Sequence, residues 1–149
     1  MKGLIQRVSE ASVMVEGEQI ACIGAGLLLL LGIERGDEKA QARALCRKIL
    51  TYRVFPDDHG RMNRSLSDIG GSLLVVPQFT LAADTSSGTR PGFSTAAKPE
   101  VASELYDFFV SEARSMIAEA RVGEGQFGAD MKVQLVNDGP VTFLLEENP

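Results

Sequence analysis

The stretch LIQRVSEASVMVEGEQIACIG, residues 4–24, decides the fold class. Apolar and polar residues alternate in Ser12–Val15 and again in Gln19–Ile23, and a period of two predicts half-buried β-strands. Glu16-Gly17 separates the two runs and predicts a tight turn. We therefore expect the chain to begin with a β-hairpin.

The rest of the chain predicts more strands and two main helices. GLLLLLGI, residues 26–33, is an apolar run of strand length and predicts a strand covered on both faces. A first helix is expected over residues 37–52 with Asp37 as its N-cap, and a second is expected to begin at Pro99. The expected buried faces are Ala42, Leu45, Cys46 and Ile49 in the first helix, and Val101, Leu105, Phe108, Phe109 and Met116 in the second. Further strands are expected at Arg53–Phe55, within GGSLLVVPQFTL (residues 70–81), and on both sides of NDGP (residues 137–140).

This order of elements predicts one α/β domain over residues 1–149. The chain has 149 residues, a net charge of −5, 44% apolar and 23% charged residues, which is typical of a soluble globular protein. An acidic chain is a poor general binder of nucleic acid, so any RNA contact should be local and salt-sensitive. Two distant cysteines, Cys22 and Cys46, predict reduced thiols in the cytosol. Neither a signal peptide nor a membrane span is expected.

Common catalytic reagents are scarce. The one histidine, His59, lies in the predicted turn PDDHG, residues 56–60, where we expect it to be solvated. Neither a Ser-His-Asp triad nor a two-histidine metal site can be built from it. We expect no metal site, and Asp57-Asp58 is interpreted as a turn pair.

Two stretches interrupt apolar strands with proline, VVPQFTL at 75–81 and NDGPVTF at 137–143. Pro77 has no backbone N–H, whereas Gln78, Phe79 and Thr80 retain theirs. If the backbone bends away from the sheet here, these donors are free to hold an oxyanion. The alternative interpretation is a strand-end bulge in which Thr80 only packs.

The same two stretches carry a resemblance to a known family. PQFTLAAD, residues 77–84, is similar to the SQFTL signature of D-aminoacyl-tRNA deacylases, and NDGPVT, residues 137–142, matches that family's NxGPVT motif. The bacterial pattern continues, in the same order, in LIQRVSEASV (4–13), YRVFPDDHGRMN (52–63), GTRPGFS (88–94) and QFGADM (126–131). The resemblance covers essentially the whole chain.

The resemblance implies a fold, an activity and two partners. The fold is a mixed, mostly antiparallel sheet or partial barrel with two main helices. The activity is hydrolysis of the ester between a D-amino acid and the terminal adenosine of tRNA, and misattached glycine is removed as well. The partners are the aminoacylated 3′ end of tRNA and a second copy of the chain, since active sites form at a homodimer interface. The family is cytoplasmic and needs no cofactor.

The resemblance also assigns roles to the NDGP stretch. The Gly139-Pro140 peptide is cis in the family and projects into the neighbouring subunit's pocket, where carbonyl groups accept from the substrate's α-ammonium. A D side chain then points to solvent, whereas an L side chain meets backbone. Asn137 shapes the turn, and Arg7 matches the arginine that holds it. From the sequence alone, Arg7 could equally be an exposed strand residue.

For the chemistry, the resemblance implies that Gln78 and the Phe79 N–H bind the ester carbonyl. Thr80 is the remaining candidate catalytic residue, but the sequence supplies no base to make it a nucleophile. The family mechanism uses the 2′-hydroxyl of the terminal adenosine instead. Phe127 and Met131 match positions near the adenosine pocket, and core packing is their alternative role.

Two positions depart from the family pattern. Pro77 replaces the usual serine of SQFTL, and Gly92 stands at the position of the first serine in the family's RPSFS. Two other functions therefore stay open: an RNA-end binding module that has lost activity through Pro77, and an esterase acting on small D-aminoacyl compounds. The charge of −5 slightly favours the esterase. Rates of hydrolysis of D-aminoacyl-tRNA and of free D-aminoacyl esters would distinguish these two functions from the deacylase.

Overall fold

The computed structural model describes residues 1–149 and begins with the predicted hairpin. Strands β1 (Lys2–Val15) and β2 (Glu18–Ile23) pair antiparallel. Glu16 and Gly17 join them with φ angles of 50° and 78°. The hairpin and its turn are therefore confirmed.

Strand β1 organises the sheet because three strands pair with it. Its first half pairs with β3 (Gly26–Gly32), its second half pairs with β2, and its other edge pairs with the last strand of the chain along most of its length. The remaining elements are α1 (Lys39–Thr51), β4 (Phe55–Pro56), β5 (Met62–Arg64), α2 (Leu66–Ile69), β6 (Ser72–Pro77), α3 (Pro99–Met116), β7 (Val122–Glu124) and β8 (Lys132–Glu146).

The sheet is mixed, as predicted. Its order is β2-β1-β3-β6-β7, and β8 also pairs with β1. All pairings of β1 are antiparallel, whereas β3, β6 and β7 run parallel to one another because α1 and α3 provide the crossovers between them. The mostly antiparallel α/β architecture with two main helices is confirmed, and α2 is a third, short helix.

The apolar run in β3 is buried on both faces. Leu27, Leu29 and Leu31 face a main core of 25 buried residues shared with the helices. Leu28 faces a second cluster inside the curved sheet. Alternate residues of a strand point to opposite faces, so a continuous apolar run is what a strand between two cores requires.

Helix α1 buries its predicted face, but Asp37 is not its N-cap. Glu38 is the N-cap, and its N–H donates to Oε1 of Gln41 at 2.8 Å. The carboxylate of Asp37 is buried and already occupied: it accepts from the Met1 amino group at 2.9 Å and from the Glu34 N–H at 2.8 Å. This contact across the fold is not visible in the local sequence.

Helix α3 begins at Pro99 as predicted, but part of its predicted face is wrong. Val101 and Met116 are 44% and 38% exposed. Phe108 is half-buried and packs against the main core as predicted, and Lys39 and Arg43 of α1 each lie 5.3 Å from its ring centroid. The buried residues of α3 are Ala102, Leu105, Tyr106, Phe109, Val110 and Ala113.

Two further expectations change. The strand predicted at Arg53–Phe55 is displaced, since β4 covers Phe55–Pro56. The two strands predicted around NDGP are one strand, β8, with an irregularity inside it. No helix is long and apolar enough to cross a membrane.

Candidate active site

The first half of the site forms where β6 ends. Pro77 lies opposite Leu31, and the Gln78 N–H donates to the Leu31 carbonyl at 2.8 Å as the last bond of this ladder. The chain then enters a 3₁₀ turn over Phe79–Ala82. Gly32 permits this turn, because a Cβ there would lie 2.8 Å from Cβ of Leu81.

The turn exposes two backbone donors rather than the three expected. The Gln78 N–H is used by the sheet. The N–H groups of Phe79 and Thr80 open the turn, and neither donates a turn, loop or side-chain hydrogen bond. The first N–H groups of a helical turn have no partner within it. They are therefore available to an oxyanion.

Thr80 has no base beside it. Its Oγ1 accepts from the carboxamide Nε2 of Gln78, and this is its side-chain hydrogen bond. No histidine or carboxylate bonds the hydroxyl. The contact fixes the Gln78 amide beside the free donors, which is a positioning arrangement rather than an activated nucleophile.

A cavity of about 480 Å³ lies beside this segment. Pro77, Gln78 and Phe79 line it together with Phe127 and Met131, and the start of α3 contributes to its wall. Phe127 and Met131 are half-buried, and each also packs against one of the two cores. The structure thus brings five of the predicted site residues together around one cavity.

Two supporting residues were missed by sequence reasoning. Tyr106 Oη donates to the Val75 carbonyl at 2.8 Å, and its ring centroid lies 6.2 Å from that of Phe127. Burial raises the pKa of Tyr106 above its ordinary value. Gly125 lets the backbone of this loop lie close to Pro77, because a Cβ at position 125 would be 3.2 Å from Pro77 Cδ. The Gly-rich loop was a signal for Gly125, but nothing local marked Tyr106.

The second half of the site is an irregularity in β8. Gln6 pairs with Thr142 and Val8 pairs with Asn137, so the single residue Arg7 lies opposite four residues, 138–141. We call residues 137–141, which contain the NDGP stretch and Val141, the NDGP bulge. A bulge of this kind turns backbone groups away from the ladder.

Polar contacts hold the NDGP bulge on both sides. Nε of Arg7 donates to the Asp138 carbonyl at 2.9 Å, and Nη1 donates to the Val54 carbonyl at 2.8 Å. Oδ1 of Asn137 accepts from the Val141 N–H at 3.0 Å. Arg7 is thus not a free surface arginine, and its side chain is 14% exposed.

Gly139 and Pro140 form the exposed tip of the bulge, and their peptide bond is cis. Gly139 has a φ of +141°, and a Cβ there would lie 2.7 Å from Cγ2 of Val141 and 3.3 Å from the Arg7 guanidinium. Only glycine fits this conformation and this space. No side-chain donor of the chain reaches the carbonyls of Gly139 or Pro140.

The two halves do not meet within one chain. Arg7 lies opposite Leu27 of β3, whereas Pro77 lies opposite Leu31 on the other side of that strand. Four residues along a strand span about 13 Å, and two strand spacings add about 10 Å across the sheet. No residue of the NDGP bulge lines the cavity beside Pro77.

No group of three or more His, Cys, Asp or Glu side chains is arranged to hold a metal ion. What the geometry offers is hydrogen bonding alone: two backbone N–H donors beside a half-apolar cavity, and exposed carbonyl acceptors on a fixed bulge. Such groups stabilise an oxyanion and a substrate ammonium.

Comparisons with known proteins find relatives over the whole chain. The family described as D-Tyr-tRNA(Tyr) deacylase matches residues 4–146. A D-aminoacyl-tRNA deacylase from Marinobacter nauticus is 70% identical over 98% of this chain and 94% of its own length. A protein of the same name from Stutzerimonas stutzeri is 60% identical over 98% of this chain and 99% of its own length.

Solved structures share the fold. One described as c-Myc DNA Unwinding Element Binding Protein has a TM-score of 0.96 at 41% identity and covers 100% of both chains. Another, described as a probable eukaryotic D-amino acid tRNA deacylase, has a TM-score of 0.80 at 17% identity over 98% of each chain. The second likeness concerns the fold alone.

Proposed function

Because the chain belongs to the D-Tyr-tRNA(Tyr) deacylase family and hydrolyses the ester bond of D-aminoacyl-tRNA, we propose that it works as a homodimer with two composite active sites. Each site takes the segment Pro77–Thr80 from one subunit and the NDGP bulge from the other. The observation that carries this proposal is the separation of these segments within one chain, although each presents groups that a single reaction would use together.

The surface around the bulge supports pairing of two copies. Val136, Phe143 and Leu144 lie on the same strand and are 49%, 39% and 50% exposed. β8 pairs only with β1, so its other edge is open. Exposed apolar side chains beside an open edge are typical of an interface. A two-fold axis at β8 brings each bulge to the other subunit and makes two equivalent sites.

In the composite site, the two subunits hold opposite ends of the aminoacyl group. The ester carbonyl oxygen accepts from the free N–H groups of Phe79 and Thr80, with the Gln78 carboxamide beside them. The α-ammonium donates to the carbonyls of Gly139 and Pro140 of the other subunit. Negative charge that develops on the carbonyl oxygen during attack is stabilised by donors that are already in place.

The nucleophile is a water molecule, and the RNA helps to activate it. Water adds to the ester carbonyl, the bond to the ribose oxygen breaks, and the products are a free amino acid and a tRNA 3′ end. The adenosine 2′-hydroxyl lies beside the ester, and we assign it the proton-transfer role that no side chain here can fill. Phe127 and Met131 hold the adenosine, so the reacting groups are oriented before attack.

Chirality is selected by exclusion. With the ammonium held by the bulge, a D side chain points away from the protein, whereas an L side chain runs into the backbone of Gly139-Pro140. Glycine has no side chain to exclude, and we therefore propose glycyl-tRNA as a further substrate. We place the reaction in the cytoplasm, where aminoacyl-tRNA is made and used.

A substrate comparison tests this function. We expect rapid hydrolysis of D-Tyr-tRNA and glycyl-tRNA, slow hydrolysis of L-Tyr-tRNA, and little turnover of D-Tyr ethyl ester, which lacks the 2′-hydroxyl. Light scattering should give about twice the chain mass. Equal rates on D-Tyr-tRNA and the ethyl ester would contradict the RNA-assisted mechanism, and a fully active monomer would contradict the composite site.

A further inference from the structure

Two exposed aromatic rings stack beside the candidate oxyanion site. Phe79 and Phe93 are 59% and 42% exposed, and their ring centroids lie 5.2 Å apart at an interplanar angle of 44°. Large apolar side chains are usually buried, so a stacked pair left in solvent is an informative exception. We call this pair the aromatic platform.

The long loop after the 3₁₀ turn is fixed where it presents Phe93. Asp84 and Gly92 exchange two backbone hydrogen bonds of 2.8 and 2.9 Å. Thr95 Oγ1 donates to the Ala82 carbonyl and fastens the far side. The position of Phe93 beside Phe79 is therefore built into the fold. Gly92 is not required for space, because a Cβ there would meet nothing closer than 3.8 Å.

The charges of this loop suit a polyanion. Residues 83–98 contain two cations, Arg90 and Lys98, which are exposed and form no ion pair. The one acid, Asp84, stays ionised because hydrogen bonds from Ser86 hold the pKa of its carboxyl below the ordinary value, so two cations and one anion give residues 83–98 a net charge of +1. Within a chain of net charge −5, the platform thus lies in a locally basic segment.

We propose that the aromatic platform stacks an unpaired base of the tRNA 3′ end, namely the base that precedes the terminal adenosine. This rests on the proposed function, which puts the adenosine between Phe127 and Met131 and the ester at the Phe79 N–H. The ring and the N–H of Phe79 belong to one residue, so the platform lies next to the reacting ester. Aromatic faces with nearby cations are how proteins bind single strands.

Two substrates and one variant test the proposal. The variant Phe93→Leu removes the outer ring and keeps an apolar side chain. Stacking of one base is worth about 1–3 kcal/mol, so kcat/KM on D-Tyr-tRNA should fall roughly 5- to 150-fold, mainly through KM. Hydrolysis of 3′-O-D-tyrosyl-adenosine, which has no preceding base, should change far less. Phe93→Tyr, which keeps a stacking face, should restore the wild-type preference for the tRNA substrate.

A salt series provides a second measurement. Arg90→Gln should reduce the slope of log(1/KM) against log[salt] by about 1, which is the contribution of one phosphate contact. Arg43→Gln is the matched control, since Arg43 is an exposed α1 residue paired with Glu112 and distant in sequence from the loop. The control should keep the wild-type slope.

Three results would overturn the proposal. Equal losses on both substrates would mean that Phe93 acts at the ester. Unchanged kinetics on both would mean that no base stacks there. A fall to monomer mass in light scattering would mean that the pair contacts the second subunit. If the wild-type protein fails to hydrolyse D-Tyr-tRNA, the proposed function fails instead, which is a distinguishable outcome.

Discussion

Nε of Arg7 donates to the backbone carbonyl of Asp138 at 2.9 Å, and this bond ties β1 to the NDGP bulge. The same guanidinium reaches the Val54 carbonyl through Nη1 at 2.8 Å. One planar group therefore joins three segments that are far apart in the sequence. Arginine suits this position because its donors are rigidly arranged and always charged.

Arg7→Lys should loosen the bulge. A single ammonium cannot reproduce the two separate contacts, and a lost hydrogen bond to a charged group typically costs about 1.5–3 kcal/mol. We expect a lower free energy of unfolding and a smaller ratio of D-Tyr-tRNA to L-Tyr-tRNA hydrolysis. Urea unfolding and paired deacylation assays measure both. Arg43→Lys, on the surface of α1, is the control, and an unchanged ratio in Arg7→Lys would exclude a role in selectivity.

Gly139→Ala should lower activity while sparing the fold. The added Cβ would lie 2.7 Å from Cγ2 of Val141, at a φ of +141° that alanine rarely adopts. The bulge must shift, and a displacement of about 1 Å at a reacting site can cost roughly 10²-fold in rate. We expect a loss of that order on D-aminoacyl-tRNA and glycyl-tRNA alike.

The control for Gly139→Ala is Gly60→Ala. Gly60 also has a positive φ, 77°, but a Cβ there would meet nothing within 4 Å. It carries the backbone penalty without the clash. Comparable activity losses in the two variants would show that global strain, rather than the shape of the bulge, explains the effect.

Local sequence patterns predicted those parts of the fold that local interactions specify. Alternation in residues 12–23 predicted the hairpin at Glu16-Gly17, and the leucine run predicted a strand between two cores. Asp37 was wrong as an N-cap because its carboxylate is bonded to the distant Met1 amino group. The face of α3 was partly wrong because small residues such as Ala102 and Ala113, rather than Val101 and Met116, lie against the core.

In the candidate site, too, some features follow from the local sequence and others depend on contacts between distant segments. The motifs predicted Gln78, Phe79 and Gly139 as site residues directly from the sequence. That the Gln78 N–H is used by Leu31, and that Tyr106 supports Val75, depends on pairing between distant strands and helices. Such contacts leave no periodic signal in a single sequence.

Thr80→Ala should keep substantial activity. Thr80 Oγ1 only accepts a hydrogen bond from the Gln78 carboxamide, and one such bond is worth about 1 kcal/mol, or roughly fivefold in rate. Phe79→Pro removes a backbone N–H, which should cost about 10²–10³-fold in kcat, and it also removes the platform ring, which should raise KM. Quench-flow kinetics with mass spectrometry measure both effects, and an acyl group trapped on Thr80 would show that it is the nucleophile after all.

Cys46 should make stability fall at alkaline pH. Burial, reinforced by nearby Glu112, raises the pKa of its thiol from 9.0 to about 12. The folded state thus holds this proton more tightly than the unfolded state. The stabilisation is present below pH 9 and is lost as pH rises from about 9 towards about 12. The free energy of unfolding, measured in urea, should fall more steeply with pH for the wild type than for Cys46→Ala over that window.

A labelling experiment checks the same thiol. Cys22 is exposed and Cys46 is buried. At pH 8 a thiol reagent should modify one cysteine per folded chain, and the second should react only in denaturant. Rapid modification of both thiols in the folded protein would contradict the burial on which the pH prediction rests.

The most direct test of the composite site mixes two inactive variants, Phe79→Pro and Gly139→Ala. Unfolding and refolding them together at a one-to-one ratio gives about half heterodimers by random assortment of a two-fold dimer. If each site combines both subunits, every heterodimer has one site with neither substitution, and activity on D-Tyr-tRNA should recover to about a quarter of wild type. If each site lies within one chain, every site carries a substitution and the mixture stays as inactive as the separate variants, which would contradict the account.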